Sequence, residues 1–537
     1  MADAASDPAL VLEAYAAYGE QCFERLRGVW GIVVWDERRR RLLISRDRLG
    51  VRPLYAYVSG QQSIIASEIK SIIHLDPGTR LVHHRRVRDF VRAGRIDDWT
   101  GTLFSRIRPI PPGTVCEIDG GDIKVTHYWT LRPSTDRTLA PSVILEKLVA
   151  AVERHTPTDV PVGLSLSGGI DSSSIAGTLS RPSLRETRNI RAFSVTPPHT
   201  TDESFLIDAT VRHTGLSHTY VPLDTLDYPR SLGQLIDFHD EPVQYSGVLY
   251  QFVLRQHMAE AGCRAVLVGY GADEIFSGYD YLAPPFLTSL MAGGRFKDAA
   301  RFVLGAPGFL QMDAFRIVRS ALRHAVIDAK ASLMQLIKHT AVHEKLKQWR
   351  RSPGPDVLAP MSGDAGDETS AVLATSELDG ARQGRAFVRA LLQCFRRNIA
   401  LLVRLEDRNA MAYGLDLCAP FMDQELVEAA LSLPFHRFMD GGRNKAVLRD
   451  AARELLAPEV RGYERKLNTP GNDAYLAFDV LRPEFLDLFA SRSFYASGLW
   501  SDRCAELYAA DSARRARPDI WFRVYMVQKW YERVIRP

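Results

Sequence analysis

Leu10, Leu12, Tyr15 and Tyr18 recur at helical spacing up to Gly19, which predicts one leading helix. The apolar period then changes. VWGIVVWD (29–36) and RLLISRD (41–47) read as two strands around a polar run, a hairpin signature. Short apolar runs follow in PLYAYV, SIIAS and GTVCEI, so residues 1–133 are expected to be β-rich. The arginines Arg38 to Arg41, between the first two runs, read as a solvated turn and not as a nucleic-acid contact. Beyond YWTLRPSTDRTLAP, strand-like runs alternate with helical ones. VPVGLSLS precedes a helix from Ser172, IRAFSVT precedes ESFLIDATVRHTG, and RAVLVGY precedes a turn. Such alternation predicts βαβ units on a parallel sheet. From residue 281 the chain reads as mostly helical, broken by a Gly/Pro/Asp/Ser-rich stretch at 350–370 that is expected to be a mobile loop.

The 537 residues exceed one ordinary core, and a prior of roughly 150 residues per domain gives two to four domains. The break in pattern divides the chain into 1–133 and 140–537. With 46% hydrophobic and 25% charged residues, the chain is neither disordered nor collagenous. No run of about 18 apolar residues predicts a membrane span. The N-terminus has no basic region ahead of an apolar core, so it does not read as a signal peptide. The net charge of +4, from 68 basic and 64 acidic residues, is too balanced to point to a nucleic-acid partner. Six cysteines, Cys22, Cys116, Cys263, Cys394, Cys418 and Cys504, form no CxxC pair; neither a disulfide framework nor a zinc site is signalled, and a reducing cytosol is the expected compartment.

The strongest chemical signal is LSLSGGIDSSS (164–174). A strand runs into two glycines and then into a helix, so successive N–H groups and the helix N-terminus form an anion cradle. Ser167, Ser172 and Ser173 add hydroxyls, and Asp171 can hold Mg²⁺. The lysine of a Walker A loop is missing. A second buried strand ends in VLVGYGADEIFSGY (266–279), where Asp273 is placed to be the second Mg²⁺ carboxylate, across the ends of neighbouring strands.

The first of these strings resembles the pyrophosphate-binding PP-loop of the ATP pyrophosphatases. Together with GYGADEIFSGY, LEDRNAMAYGLDLCAPFMD (405–423) and RNKAVLRDAARELLAPEV (443–460), it occurs in the order found in the asparagine synthetase family. YGEQCFERLRGVWGIVVWDERRRRLLISRDRLGVRPLYAY and IIASEIKSII are similar to the second half of that family's glutaminase domain. The resemblance implies an α/β fold: a shortened αββα glutaminase-like sandwich followed by a doubly wound ATP pyrophosphatase domain with helical additions. It implies ATP over Ser167, Gly168, Gly169, Asp171 and Ser172, with Ser194 and Val195 at the adenine, Gly269 as a further nucleotide contact, and Mg²⁺ on Asp171 and Asp273. It assigns to Lys445 the charge that develops as an amine attacks an acyl-adenylate.

Three departures from the family pattern bear on the activity. The family's glutaminase uses an N-terminal cysteine with its own amine as base, whereas Ala2 follows Met1 here and Asp7 matches a position late in that domain, so roughly 80 residues have no counterpart. Either the start is truncated or the domain is vestigial. Tyr270 stands where asparagine synthetases place a glutamate; this is similar to the β-lactam synthetases, in which a Tyr–Glu pair deprotonates an amine of the substrate. A phenol, with an ordinary pKa near 10, needs a carboxylate neighbour for that role, and Glu406 and Asp407 are the candidates. Glu406, Asp407 and Arg408 also read as a surface ion-pair triplet. Cys418 replaces the arginine of the family's EVR pattern, which removes a carboxylate-binding fork, and itself reads as a small buried hydrophobe.

The resulting expectation is ATP-dependent amide-bond formation through an acyl-adenylate, releasing AMP and pyrophosphate, with an amine carried by the substrate as in β-lactam or lasso-peptide ring closure. Glutamine- or ammonia-dependent asparagine synthesis is the alternative, and a non-catalytic partner in a biosynthetic complex is the alternative of another class. The expected partners are a small-molecule or peptide carboxylate, with pathway proteins or a homo-oligomer left open, and no nucleic acid or membrane.

Overall fold

The computed structural model describes residues 7–60, 62–96, 99–119, 122–131, 141–196, 203–224, 226–310, 314–323, 384–463 and 473–536. The stretch 350–370, expected to be a loop, lies outside them, as does Ala2.

The leading helix spans Asp7–Tyr18. The predicted hairpin forms from β1 (Gly31–Asp36) and β2 (Arg41–Arg46), paired from Gly31 opposite Arg46 to Asp36 opposite Arg41. Arg38, Arg39 and Arg40 are exposed in the turn. Arg41 departs from the expectation: it opens β2 and pairs with Glu20 at 2.7 Å. Next come β3 (Tyr55–Val58), β4 (Ser63–Ala66), β5 (Arg108–Pro109), β6 (Thr114–Asp119) and β7 (Asp122–His127). They build two antiparallel sheets, in the orders β1-β2-β6-β7 and β4-β3-β5. Alternation along β2 and β6 sends Leu43 and Val115 toward Ala14 and Tyr15 of the leading helix. It sends Ile44 and Cys116 toward Ala56 of the second sheet and toward Leu54 and Ile110, which flank its strands. Tyr55 and Tyr57 face Ile72 and Phe90, from the helices Ile69–Leu75 and His84–Ala93. The layers are therefore helix, sheet, sheet, helix. β7 escapes the apolar pattern because it is an edge strand, with polar Lys124 and Thr126 alternating with Ile123 and Val125.

The second half holds a five-stranded sheet, β10-β9-β8-β11-β12, in which every pair is parallel. Its strands are β8 (Val162–Ser165), β9 (Ile190–Thr196), β10 (Ser217–Pro222), β11 (Ala265–Leu267) and β12 (Asp416–Cys418). From β8 the chain winds outward through β9 and β10, then returns to the other side of β8 with β11. That reversal is the switch point at which open α/β sheets form a crevice beyond their strand ends. The helix after β8 starts at Ile170, two residues ahead of the predicted Ser172, with Gly169 at its N-cap.

The two halves share one apolar cluster. Phe104 meets Trp530 edge-on, with ring centroids 5.5 Å apart. Trp500, Trp521 and Trp530 are buried in the core. Charges also cross the junction. In the helix Arg385–Met411, Glu406, Asp407 and Arg408 are all buried, which corrects the surface-triplet reading. Asp407 pairs with Arg52 at 2.8 Å and Arg408 with Glu68 at 2.7 Å, both partners lying in the first half. Among the described residues, no helix is long and apolar enough to cross a membrane.

Candidate active site

A cleft of about 670 Å³ opens over the strand ends of β8 and β11. Its floor is the turn Ser167–Gly168–Gly169, which the sequence singled out. Gly168 has φ +70, and a Cβ there would lie 3.0 Å from Leu206 Cβ, so glycine is required for both conformation and space. Across the floor, a Cβ on Gly269 would lie 3.2 Å from the amide nitrogen of Ser172. The hydroxyls order the loop from within. The Ser167 amide donates to Ser172 Oγ at 3.1 Å, and Ser172 Oγ lies 3.2 Å from Ser167 Oγ. The first residues of the helix Ile170–Leu179 line the cleft beside these hydroxyls, and a helix N-terminus there makes a cradle that fits phosphate. Of the adenine pair, Val195 lines the cleft. The Ser194 side chain turns into the sheet, donates to Leu166 O at 2.5 Å and contacts His218 Nε2 at 2.9 Å.

Asp171, Asp273 and Lys445 converge. Lys445 Nζ lies 2.8 and 2.6 Å from the two oxygens of Asp171 and 2.8 Å from Asp273 Oδ1. Burial pushes the ammonium pKa down, but the two carboxylates outweigh it and hold it above the ordinary lysine value. Hard oxygens from two aspartates that reach a single point also suit a divalent cation such as Mg²⁺. These residues fit that group.

Tyr270 lines the same cleft, and the Glu406 carboxylate stands beside it. Burial first, and then the Glu406 charge, raise its pKa well above that of a free phenol, so it stays protonated at neutral pH. Of the two carboxylates considered from sequence, Glu406 reaches Tyr270, whereas Asp407 turns away to Arg52. Arg255 completes the group. It is fully buried, donates to Glu406 Oε2 at 2.7 Å, and also bonds Gln251 Oε1 at 3.1 Å. Arg255 lies outside the sequence reading because it sits in the helix Gly247–Glu260 with no motif around it.

Glu274 and Tyr279 were likewise missed, although both belong to the quoted GYGADEIFSGY string. Tyr279 donates to Glu274 Oε1, and both line the cleft. Burial, then the neighbouring Asp273, raise Glu274 to about 7. A carboxyl whose folded pKa is raised stabilises the fold fully below its unfolded value, and loses that contribution as pH rises through the folded value. Unfolding free energy is therefore expected to fall between pH 4.5 and about 7, and Glu274→Gln to flatten that fall. Urea titrations of both proteins across this range check it; parallel slopes would refute it. Cys418 is half-buried at the end of β12 and is not among the described residues lining the cleft. Burial pushes its thiol up to about 12, consistent with a packed hydrophobe.

A doubly wound parallel sheet with an SGGIDSS cradle at its switch point defines a PP-loop nucleotide-binding domain of the ATP pyrophosphatase type. Residues 143–532 match the family model described as asparagine synthase, and residues 2–129 match a glutamine amidotransferase domain. The chain belongs to the asparagine synthetase family. It is 26% identical over 487 residues to asparagine synthetase [glutamine-hydrolyzing] 3 of Bacillus subtilis, covering 87% of this chain and 70% of that protein. It is 28% identical over 284 residues to putative asparagine synthetase [glutamine-hydrolyzing] 2 of Methanocaldococcus jannaschii, covering 51% and 54%. It is 29% identical over 297 residues to amidase chry2 of Gibberella zeae, covering 51% and 43%. The chain thus spans about half the length of the last two relatives.

Proposed function

We propose that the chain joins a carboxylate to an amine at the expense of ATP, through an acyl-adenylate, with the amine carried by the same substrate. The observation that carries this reading is the half-buried Tyr270 beside the buried Glu406–Arg255 pair, in the cleft that also holds the phosphate cradle. ATP would lie with its phosphates over Ser167, Gly168, Gly169 and Ser172 and its base toward Val195. Mg²⁺ held by Asp171 and Asp273 would screen phosphate charge. The substrate carboxylate attacks the α-phosphorus and pyrophosphate leaves. The amine then attacks the acyl carbon. Tyr270 takes the amine proton while handing its own to Glu406, so no free phenolate is needed and the raised phenol pKa is no obstacle. Lys445 stabilises the oxyanion, and AMP departs. A wall of tyrosines and carboxylates suits an amine that arrives within the substrate.

The match of residues 2–129 to a glutamine amidotransferase domain favours a second reading, in which ammonia or glutamine supplies the nitrogen. The deciding experiment incubates the protein with Mg·ATP and candidate peptide or small-molecule amino acids, and follows AMP, pyrophosphate and product mass. ATP-dependent loss of one water from the substrate supports ring closure. A product that forms only when ammonium or glutamine is added supports the second reading. A folded, ATP-binding protein that releases no pyrophosphate with any acid refutes both.

A further inference from the structure

We infer that Lys445 is a specificity-determining residue for the metal: the Asp171–Asp273 pair accepts a divalent cation preferentially as its nucleotide complex, because the lysine ammonium and the cation compete for the same carboxylates. This rests on the reading above, in which that pair serves Mg·ATP.

Lys445 Nζ lies within 2.8 Å of oxygens from both carboxylates. A divalent ion bonded to the same oxygens would stand no more than about 5 Å from that nitrogen, since oxygen ligands lie about 2.0–2.6 Å from such ions. Two cations that close, on the same carboxylates in a buried cleft, repel strongly. Either the lysine holds the pair or the metal does.

The surroundings allow the exchange to be a swing of the side chain alone. The backbone is pinned on both sides: Ala446 N donates to Phe438 O at 3.2 Å, Arg449 N to Lys445 O at 2.9 Å, and Arg449 Nε to Asn444 O at 3.0 Å. Lys445 itself holds φ +51, a conformation that a non-glycine residue keeps only where its surroundings impose it. Gly278 leaves the passage open, because a Cβ there would collide with both Asp273 Oδ1 and Lys445 Cε.

A bare hydrated ion must shed water reluctantly and also leave the displaced ammonium with no partner of comparable charge. The nucleotide removes the second obstacle. Its phosphates offer the ammonium a new anionic seat a short swing away, over the cradle of Ser167 to Ser172 that shares this cleft. Metal and nucleotide therefore enter together, and the lysine released from the aspartates is delivered to the reacting phosphate and acyl groups.

The test is Mn²⁺ binding, read by the loss of the free-ion electron paramagnetic resonance signal, with and without α,β-methylene-ATP. Wild type is expected to take up Mn²⁺ weakly alone and at least tenfold more tightly with the analogue. Lys445→Met, of similar length but neutral, is expected to bind Mn²⁺ alone at least tenfold more tightly than wild type, and Lys445→Arg to behave as wild type. Asp171→Asn added to Lys445→Met is expected to abolish the gain, which places it at this pair; unchanged far-ultraviolet dichroism and melting confirm folding. Equal Mn²⁺ affinity of wild type and Lys445→Met without nucleotide overturns the proposal, as does a gain that survives Asp171→Asn. Calorimetry of the analogue with wild type separates the two levels. Analogue binding without the Lys445 effect leaves the nucleotide site standing and sinks only the competition, whereas no analogue binding sinks the function reading itself.

Discussion

Tyr270→Phe is expected to lower amide formation by roughly 10²–10⁴-fold while leaving ATP-dependent pyrophosphate release near wild type, because general-base catalysis contributes that much to a proton-transfer step. The substitution deletes one oxygen and keeps the ring that packs against the cleft wall. Glu406 keeps its bond to Arg255. The phosphate cradle and the Asp171–Lys445–Asp273 group are untouched, so adenylation retains its machinery. Single-turnover assays that follow pyrophosphate and product separately would show the split. Product formation at the wild-type rate would remove Tyr270 from proton transfer, and parallel loss of both steps would make it a binding residue.

Arg255→Met is expected to cost the fold about 3–5 kcal/mol, the range for stripping one partner from a buried ion pair. Arg255 is fully buried, and Glu406 is close to it in burial. A neutral side chain at 255 leaves the Glu406 charge without its guanidinium in a place that water hardly reaches. The double substitution Arg255→Met with Glu406→Leu is expected to recover most of that loss, since replacing a buried pair with packed apolar groups is often neutral or stabilising. Urea denaturation of the three proteins checks both statements. A single variant as stable as wild type would mean that Glu406 takes up a proton or finds another partner. Because the relay is also the proposed base, the double variant is expected to be folded and inactive.

What sequence disclosed and what it hid follow from how far each feature reaches. The phosphate cradle is local. A strand, two glycines and a helix start lie within a dozen consecutive residues, and the string reads directly as the turn found at the end of β8. The junction of Asp171 with Lys445 spans 274 residues, so only the family resemblance could anticipate it. Glu406 and Asp407 could not be told apart because adjacent helix positions point about 100° apart and either can face a cleft. Partners on two sides decide: Arg255 and Tyr270 on one, Arg52 on the other. Arg255 itself gave no signal, since a charged residue in an apolar helix looks exposed until its buried partner is known. β7 and β10 were passed over for a related reason: each lies at a sheet edge, where polar residues dilute the apolar alternation.

The paired charges across the junction have an evolutionary consequence. Arg52 of the first half holds Asp407 and Asp416 of the second, one residue beyond the side chain that faces Tyr270. Arg52 is not free to drift alone, because its loss strands the buried Asp407 carboxylate next to the relay. An exchange at position 52 is then accepted only with one at 407, and lineages that lack the arginine are expected to lack the aspartate too. Whatever chemistry the amino-terminal half performs, its sequence remains tied to the cleft of the other half, through the helix they hold in common.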